Sequence, residues 1–250
     1  MTDGCGYDPE WWKIPKAASI ARKRRATTSR ATAKPGDAFL IVTEGQVTEP
    51  VYFNCLLKDL RLHTVHVKVI PGHTPDPLRV IDTAVEEVKA HQKKYKNGLL
   101  AQDEPSKFDH VWVVIDTDVA VRTGCWNDVK QLAATQKVKL AHSTPCFEYW
   151  LLLHLSYTTR GDLVDGDAAK RAVEKELGRD YSTNEKVARD VMPLFMNHWP
   201  EAVRHAQRVR QHHADANTPE PANPSTEVDR LVQALSDSSR YGRQAAITTE

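Results

Sequence analysis

Hydrophobic positions along this chain fall in short blocks whose spacing switches between the period of a strand and that of a helix. Phe39, Leu40, Ile41 and Val42 form an apolar, partly β-branched run bounded by Gly36 and Gly45, which predicts a buried strand. Residues 50–60 read as a helix, with Thr48 as its N-cap and Pro50 in its first turn. Residues 66–70 predict a second strand, ending at the breaker-rich loop 71–77. Leu78, Ile81, Val85 and Val88 then recur at helical spacing and predict a long amphipathic helix over 78–94. After a polar stretch, 95–107, residues 111–115 again read as a strand. Residues 126–136 predict a helix packing Val129, Leu132 and Ala133, and 138–141 another short strand. Ser143 or Thr144 is placed to cap the next helix, with Pro145 in its first turns and Phe147, Trp150, Leu151 and Leu152 on its buried face. This repeated alternation of strand and helix predicts an α/β fold with a doubly wound, mostly parallel sheet.

The remainder of the chain, 156–250, reads mainly helical. Gly178 stops a helix over 167–177, and 187–213 predicts a helix pair. Residues 214–224 are linker-like. Ser225 or Thr226 then caps a last helix, 228–235, beyond which the chain is expected to fray. Residues 1–36 do not read as core. The expected organisation is therefore an N-terminal arm over 1–36, an α/β core over 37–155, and a helical C-terminal extension over 156–250 packed on that core.

Composition narrows the function classes. Hydrophobic residues at 40% and charged ones at 27% are ordinary for a globular chain. A formal net charge of +1 excludes a strongly basic body, so any nucleic acid must bind through a local patch. No apolar run reaches the roughly 18 residues of a membrane span. The N-terminus lacks the apolar core of a secretory signal. Cys5, Cys55, Cys125 and Cys146 are scattered with no C-x-x-C pair, which argues against a zinc knuckle and for a reducing, cytoplasmic location. There is no internal repeat, no Walker A signature and no G-x-G-x-x-G.

The candidate chemistry is acidic. Glu44 and Gly45 directly follow the strand 39–42 and precede a helix, and Asp116 and Asp118 close the strand 111–115. Two carboxylates at i and i+2 on a chain leaving a strand can converge on one hard cation. If the two strands are parallel neighbours, Glu44, Asp116 and Asp118 meet at the sheet edge where open α/β folds bind ligands. Strand, Glu-Gly, helix and a later strand ending in Asp-x-Asp resembles a Toprim domain. That resemblance implies Mg²⁺-dependent phosphodiester chemistry.

A wider resemblance rests on Val42-Thr43-Glu44-Gly45, Thr48-Glu49-Pro50-x-Tyr52-Phe53, the Asp-x-Asp strand, Pro145-Cys146-Phe147-Glu148 with Trp150-Leu151-Leu152-Leu153-His154, and Asn223-Pro224-Ser225-Thr226. Together, over roughly 37–235, these resemble the RloB family. The resemblance implies a Toprim-like nuclease of bacterial antiviral defence loci, found alongside restriction systems. Gln46 and Val47 stand where that family carries charged residues after Glu-Gly, so no further charged ligand is expected in this turn.

Glu148 has two readings: an acid that supports a helix N-terminus through the helix dipole, or a fourth site carboxylate that orients a metal-bound water. His154, a lone histidine on an apolar helix, reads as a core or rim residue rather than a ligand. The basic run Arg22, Lys23, Arg24 and Arg25 is either a solubilising tail or a phosphate-contacting arm that Trp11 and Trp12 anchor on the body or stack on a base. The basic positions of 186–213, Lys186 and Arg189 among them, are either a solvated face or a nucleic-acid surface.

The leading expectation is a Mg²⁺- or Mn²⁺-dependent nuclease acting on RNA, transfer RNA included, or DNA. Asp116 and Asp118 would hold the metal, Glu44 would serve as general base or share a second cation, and Glu148 would assist. Partner proteins of a defence system would supply any energy-coupled activation. The alternative is a non-catalytic nucleic-acid or nucleotide-binding sensor or adaptor.

Overall fold

The computed structural model describes residues 37–247, except 63–65, 73 and 182–183, with side chains up to residue 239. Its centre is a five-stranded sheet in the order β2-β1-β3-β4-β5. Strands β1 (Ala38–Thr43), β2 (His66–Ile70), β3 (His110–Asp116) and β4 (Lys139–Thr144) run parallel. The two-residue β5 (Ser225–Thr226) pairs antiparallel with the end of β4. Helices α1 (Thr48–Asp59) and α2 (Pro77–Lys96) follow β1 and β2, and α3 (Asp118–Thr123) and α4 (Trp126–Gln136) join β3 to β4. Helix α5 (Phe147–Leu155) leaves β4. The C-terminal part adds α6 (Gly166–Leu177), α7 (Glu185–Met196), α8 (Trp199–Asp215) and, after β5, α9 (Val228–Ile247).

Alternation along β1 and β3 explains why helices cover both faces. Leu40, Val42, Val113 and Ile115 point into one apolar layer with Val80, Ile81 and Ala84 of α2 and Val129 and Ala133 of α4. Phe39, Ile41, Trp112 and Val114 point into the other, which is shared by α1, α5 and the C-terminal helices. That second layer is continuous from Phe39 through Trp150 and Phe195 to Leu235. Each fully buried side chain of this size contributes roughly 1.5–3 kcal/mol of transfer free energy. The C-terminal helices therefore cover a sheet face that would otherwise be open.

Strand order places the site. The chain leaves β1 toward β2 on one side and returns to β3 on the other, so the order reverses between β1 and β3. At such a switch point the two departing connections run to opposite faces and leave a crevice beyond the strand ends. The register pairs Thr43 with Val114, and the Glu44 N–H extends the ladder to the Val114 carbonyl at 2.8 Å.

Several local expectations are corrected. Thr48 is the first residue of α1, not its cap; Val47 holds the cap position and makes no side-chain cap bond. Ser143 and Thr144 are strand, not helix cap, because their hydroxyls serve the sheet. Ser143 Oγ lies 2.8 Å from Thr226 Oγ1, and Thr117 Oγ1 donates to Thr144 Oγ1 at 2.7 Å. Pro145 precedes α5, whose cap position is Cys146. The short α3 between Asp118 and Thr123 had no sequence counterpart. Thr226 lies one residue before the cap position of α9 and belongs to β5; its Oγ1 still accepts the Val228 N–H at 3.2 Å. The chain does not fray at 236: α9 continues, and Ser239 Oγ donates to the Leu60 carbonyl at 3.0 Å.

Candidate active site

The described acids of the switch point line one cavity of about 620 Å³. Glu44 is the first residue beyond β1, and its Oε2 accepts the Asp116 backbone N–H at 3.1 Å. That bond ties the β1 acid to the end of β3. Asp116 closes β3, and Asp118 opens α3 with an exposed side chain whose Oδ1 accepts the Val119 N–H at 2.6 Å. Glu148 enters from the first turn of α5. Glu44, Asp116, Asp118 and Glu148, all expected from the sequence as site acids, thus share one cavity.

A fifth acid was not singled out from the sequence. Glu49, in the first turn of α1, is only 5% exposed and lines the same cavity. Its Oε1 accepts the Gly45 N–H at 2.9 Å, so the helix clamps the turn that carries Glu44. Gly45 permits this approach: a Cβ there would lie 2.1 Å from Glu49 Oε2. Gly72 is constrained by backbone rather than by a side chain, since a Cβ would meet the carbonyl oxygens of Thr43 and Glu44 at 2.3 Å. The loop after β2 is pressed against the backbone of the β1–α1 turn. The signal for Glu49 was its spacing, four residues after a glycine and in the first helical turn, where a side chain reaches back over the preceding loop.

A second contribution comes from outside the α/β core. Tyr181, in the connection between α6 and α7, is 1% exposed. Its hydroxyl lies 3.3 Å from Glu148 Oε1 and 3.4 Å from Thr48 Oγ1. Thr48 therefore spends its hydroxyl on the α1–Tyr181–α5 junction rather than on a cap. The position of Tyr181 in a polar turn gave no hint of this contact.

The electrostatics follow from burying like charges together. Burial pushes Glu44 up to about 8, and the charges of Glu49, Asp118 and Asp76 add to that, against the opposing bond from the Asp116 N–H. Burial raises Glu49 to about 7, with Glu148 adding to the rise. Asp116 is held well above the usual carboxylate range by burial and then by Glu49, Glu44, Glu148 and Asp118. Among the described residues, six carboxylates and one ammonium line the cavity. An all-oxygen, net-negative donor set of this kind fits a hard divalent cation such as Mg²⁺ or Mn²⁺. Among the described residues, no three His, Cys, Asp or Glu side chains are already gathered closely enough to hold a metal ion.

His154 is 3% exposed in the core. Its Nδ1 lies 2.9 Å from the Trp150 carbonyl and its Nε2 3.2 Å from the Tyr52 hydroxyl, and burial pushes its pKa down to about 3. It is a neutral packing residue that donates through Nδ1 and accepts through Nε2. Lys186 and Arg189 do not line the acid cavity; Arg189 pairs with Glu185 on α7. The cluster Arg22, Lys23, Arg24 and Arg25 lies outside the described residues. Among those described, no helix is long and apolar enough to cross a membrane.

A family model described as RloB-like protein matches residues 39–235, which span β1 to the middle of α9. No curated protein and no solved structure matches the chain.

Proposed function

The chain belongs to the RloB-like protein family, and from that membership and the acid cavity we propose that it is a divalent-metal-dependent nuclease of the Toprim-like type. Its substrate would be the phosphodiester backbone of RNA, transfer RNA included, or of DNA. Its setting would be bacterial antiviral defence, in the cytoplasm, with partner proteins of the same system. One observation carries the reading: buried Glu49 and half-buried Glu44 and Asp116 line one cavity at the switch point, where six carboxylates face a single ammonium among the described residues. Such an arrangement costs folding energy and is relieved by a bound divalent cation.

Asp116 and Asp118 would hold Mg²⁺ or Mn²⁺ with Glu44 beside them, and the metal supplies charge neutralisation at a phosphate and a more acidic water. Glu44 would accept the proton of the attacking water: its carboxylate is held at the end of β1 by the Asp116 N–H, and a bound cation would keep it ionised. The Asp116 N–H and the turn clamped by Glu49 fix where that base sits. Tyr181 holds Glu148 toward the same cavity.

The test is incubation of purified protein with single- and double-stranded DNA and with total RNA, in Mg²⁺, Mn²⁺ or EDTA. Metal-dependent cleavage that Asp116→Ala abolishes is expected. Glu44→Gln should still bind metal and nucleic acid while turnover drops by about two to four orders of magnitude. Binding without cleavage in every condition, with defence-locus partners present, would replace the enzyme with a sensor or adaptor.

A further inference from the structure

One wall of the acid cavity comes from neither the strand ends nor α1. It is the start of α6, where Gly166, Asp167 and Lys170 face the cavity. Asp167 and Lys170 are three residues apart and share that face of the helix. Ala169, Ala172 and Val173 are buried on the opposite side, which fixes the rotation of α6 about its axis. Lys170 is half-buried and is the cation among the described lining residues.

A lysine that served only to neutralise the carboxylates would be spent on one of them. Among the described residues, Lys170 forms no ion pair, although six acids line the same cavity and Asp167 lies one turn away. Its ammonium is a point charge on a flexible stem with three donors, suited to a phosphate oxygen and indifferent to base identity. A polyanionic strand entering a cavity of carboxylates needs such a contact to offset repulsion.

We infer that Lys170 is a substrate-phosphate contact, which holds a nucleic-acid backbone against the carboxylates from the helical C-terminal part. The inference rests on the reading of the cavity as a phosphodiester site. As a backbone contact, Lys170 should raise affinity without favouring any base sequence.

The test uses the full-length chain and its Lys170→Met and Lys170→Arg variants. Binding of fluorescent single-stranded RNA and DNA oligonucleotides is titrated in Ca²⁺ across a range of salt, and Mn²⁺ binding is measured separately. Lys170→Met should weaken oligonucleotide binding by about tenfold and flatten the log-log salt slope by about 0.7, the loss of one phosphate contact to a single strand. Lys170→Arg should keep the slope. Mn²⁺ affinity of Lys170→Met should hold or rise, because a positive neighbour has gone. Wild type that binds oligonucleotide, with Lys170→Met equal to it in affinity and slope, overturns the inference and leaves the site reading intact. A Lys170→Met protein that melts earlier and loses Mn²⁺ makes Lys170 a structural counter-ion, which also overturns it. Wild type that binds neither Mn²⁺ nor oligonucleotide overturns the site reading, and this inference with it.

Discussion

Replacing Glu49 by glutamine should stabilise the metal-free protein in a pH-dependent way. Glutamine keeps the acceptor for the Gly45 N–H and nearly the same volume, but cannot ionise. In the unfolded chain Glu49 loses its proton near 4.5, whereas the folded protein holds it to about 7. Between those values the folded state binds more protons, so its stability falls as pH rises and levels off above the folded value. The interval corresponds to roughly 3 kcal/mol. Removing the charge also relieves Glu44 and Asp116, both of which Glu49 pushes upward. Wild type and Glu49→Gln should thus be equally stable near pH 4.5, and the variant should gain roughly 3 kcal/mol by pH 8.5. Urea denaturation in EDTA reads this directly. With a slope on the order of 3 kcal/mol per M, the midpoints should coincide at the lower pH and separate by about 1 M at the higher. Added Mg²⁺ or Mn²⁺ should close the gap by stabilising the wild type. Parallel midpoints across the whole pH range would refute the claim that Glu49 is a buried, uncompensated acid.

Gly72→Ala drives a Cβ into two carbonyl oxygens at 2.3 Å, backbone atoms that cannot yield, and should lower the melting temperature by a cost on the order of 3 kcal/mol. On the acid side, His154 and His142 stay neutral when folded, down to about 3 and about 4, while their unfolded counterparts protonate below 6.5. Their contribution is complete above 6.5 and is lost as pH falls toward those folded values. His154→Phe should therefore flatten the loss of melting temperature between pH 6.5 and 4, from a lower start because the Tyr52 hydroxyl loses its acceptor. Arg210→Met should cost about 3–5 kcal/mol in chemical denaturation by stranding Asp229, whose side chain is 2% exposed, and the double variant Arg210→Met/Asp229→Leu should recover most of it.

The α/β frame was legible because each strand carries its own signal. The runs beginning at Phe39 and Val111 are apolar on both faces, as parallel strands sandwiched between helices must be. Glu44, Asp116 and Asp118 were legible for the same reason, since the strand ends fix where they emerge. What sequence could not supply were contacts between distant segments. Thr48 looked like a cap because local chemistry favours threonine there, but its hydroxyl lies beside Tyr181, 133 residues away. Ser143 looked like a cap until its partner Thr226 was visible, 83 residues on. An acid in a first helical turn, as Glu49 is, has an ordinary explanation in the helix dipole. Only its burial against Gly45 and its closeness to Asp116 distinguish it.

The two-residue β5 has a consequence for how the chain is made. Until Thr226 leaves the ribosome, the last stretch of β4 presents unpaired backbone groups, a template for another strand. The 83 residues that separate Ser143 from Thr226 take roughly 4–17 s to synthesise at ordinary translation rates. During that interval α5 and the helices after it can fold locally, but the sheet edge stays open. When β5 docks, Arg210 locks it by donating to the Thr226 carbonyl at 3.0 Å while gripping Asp229 at the start of α9. Nascent chains stalled between residues 144 and 226 should therefore be the aggregation-prone species, and chains released just past α9 should not.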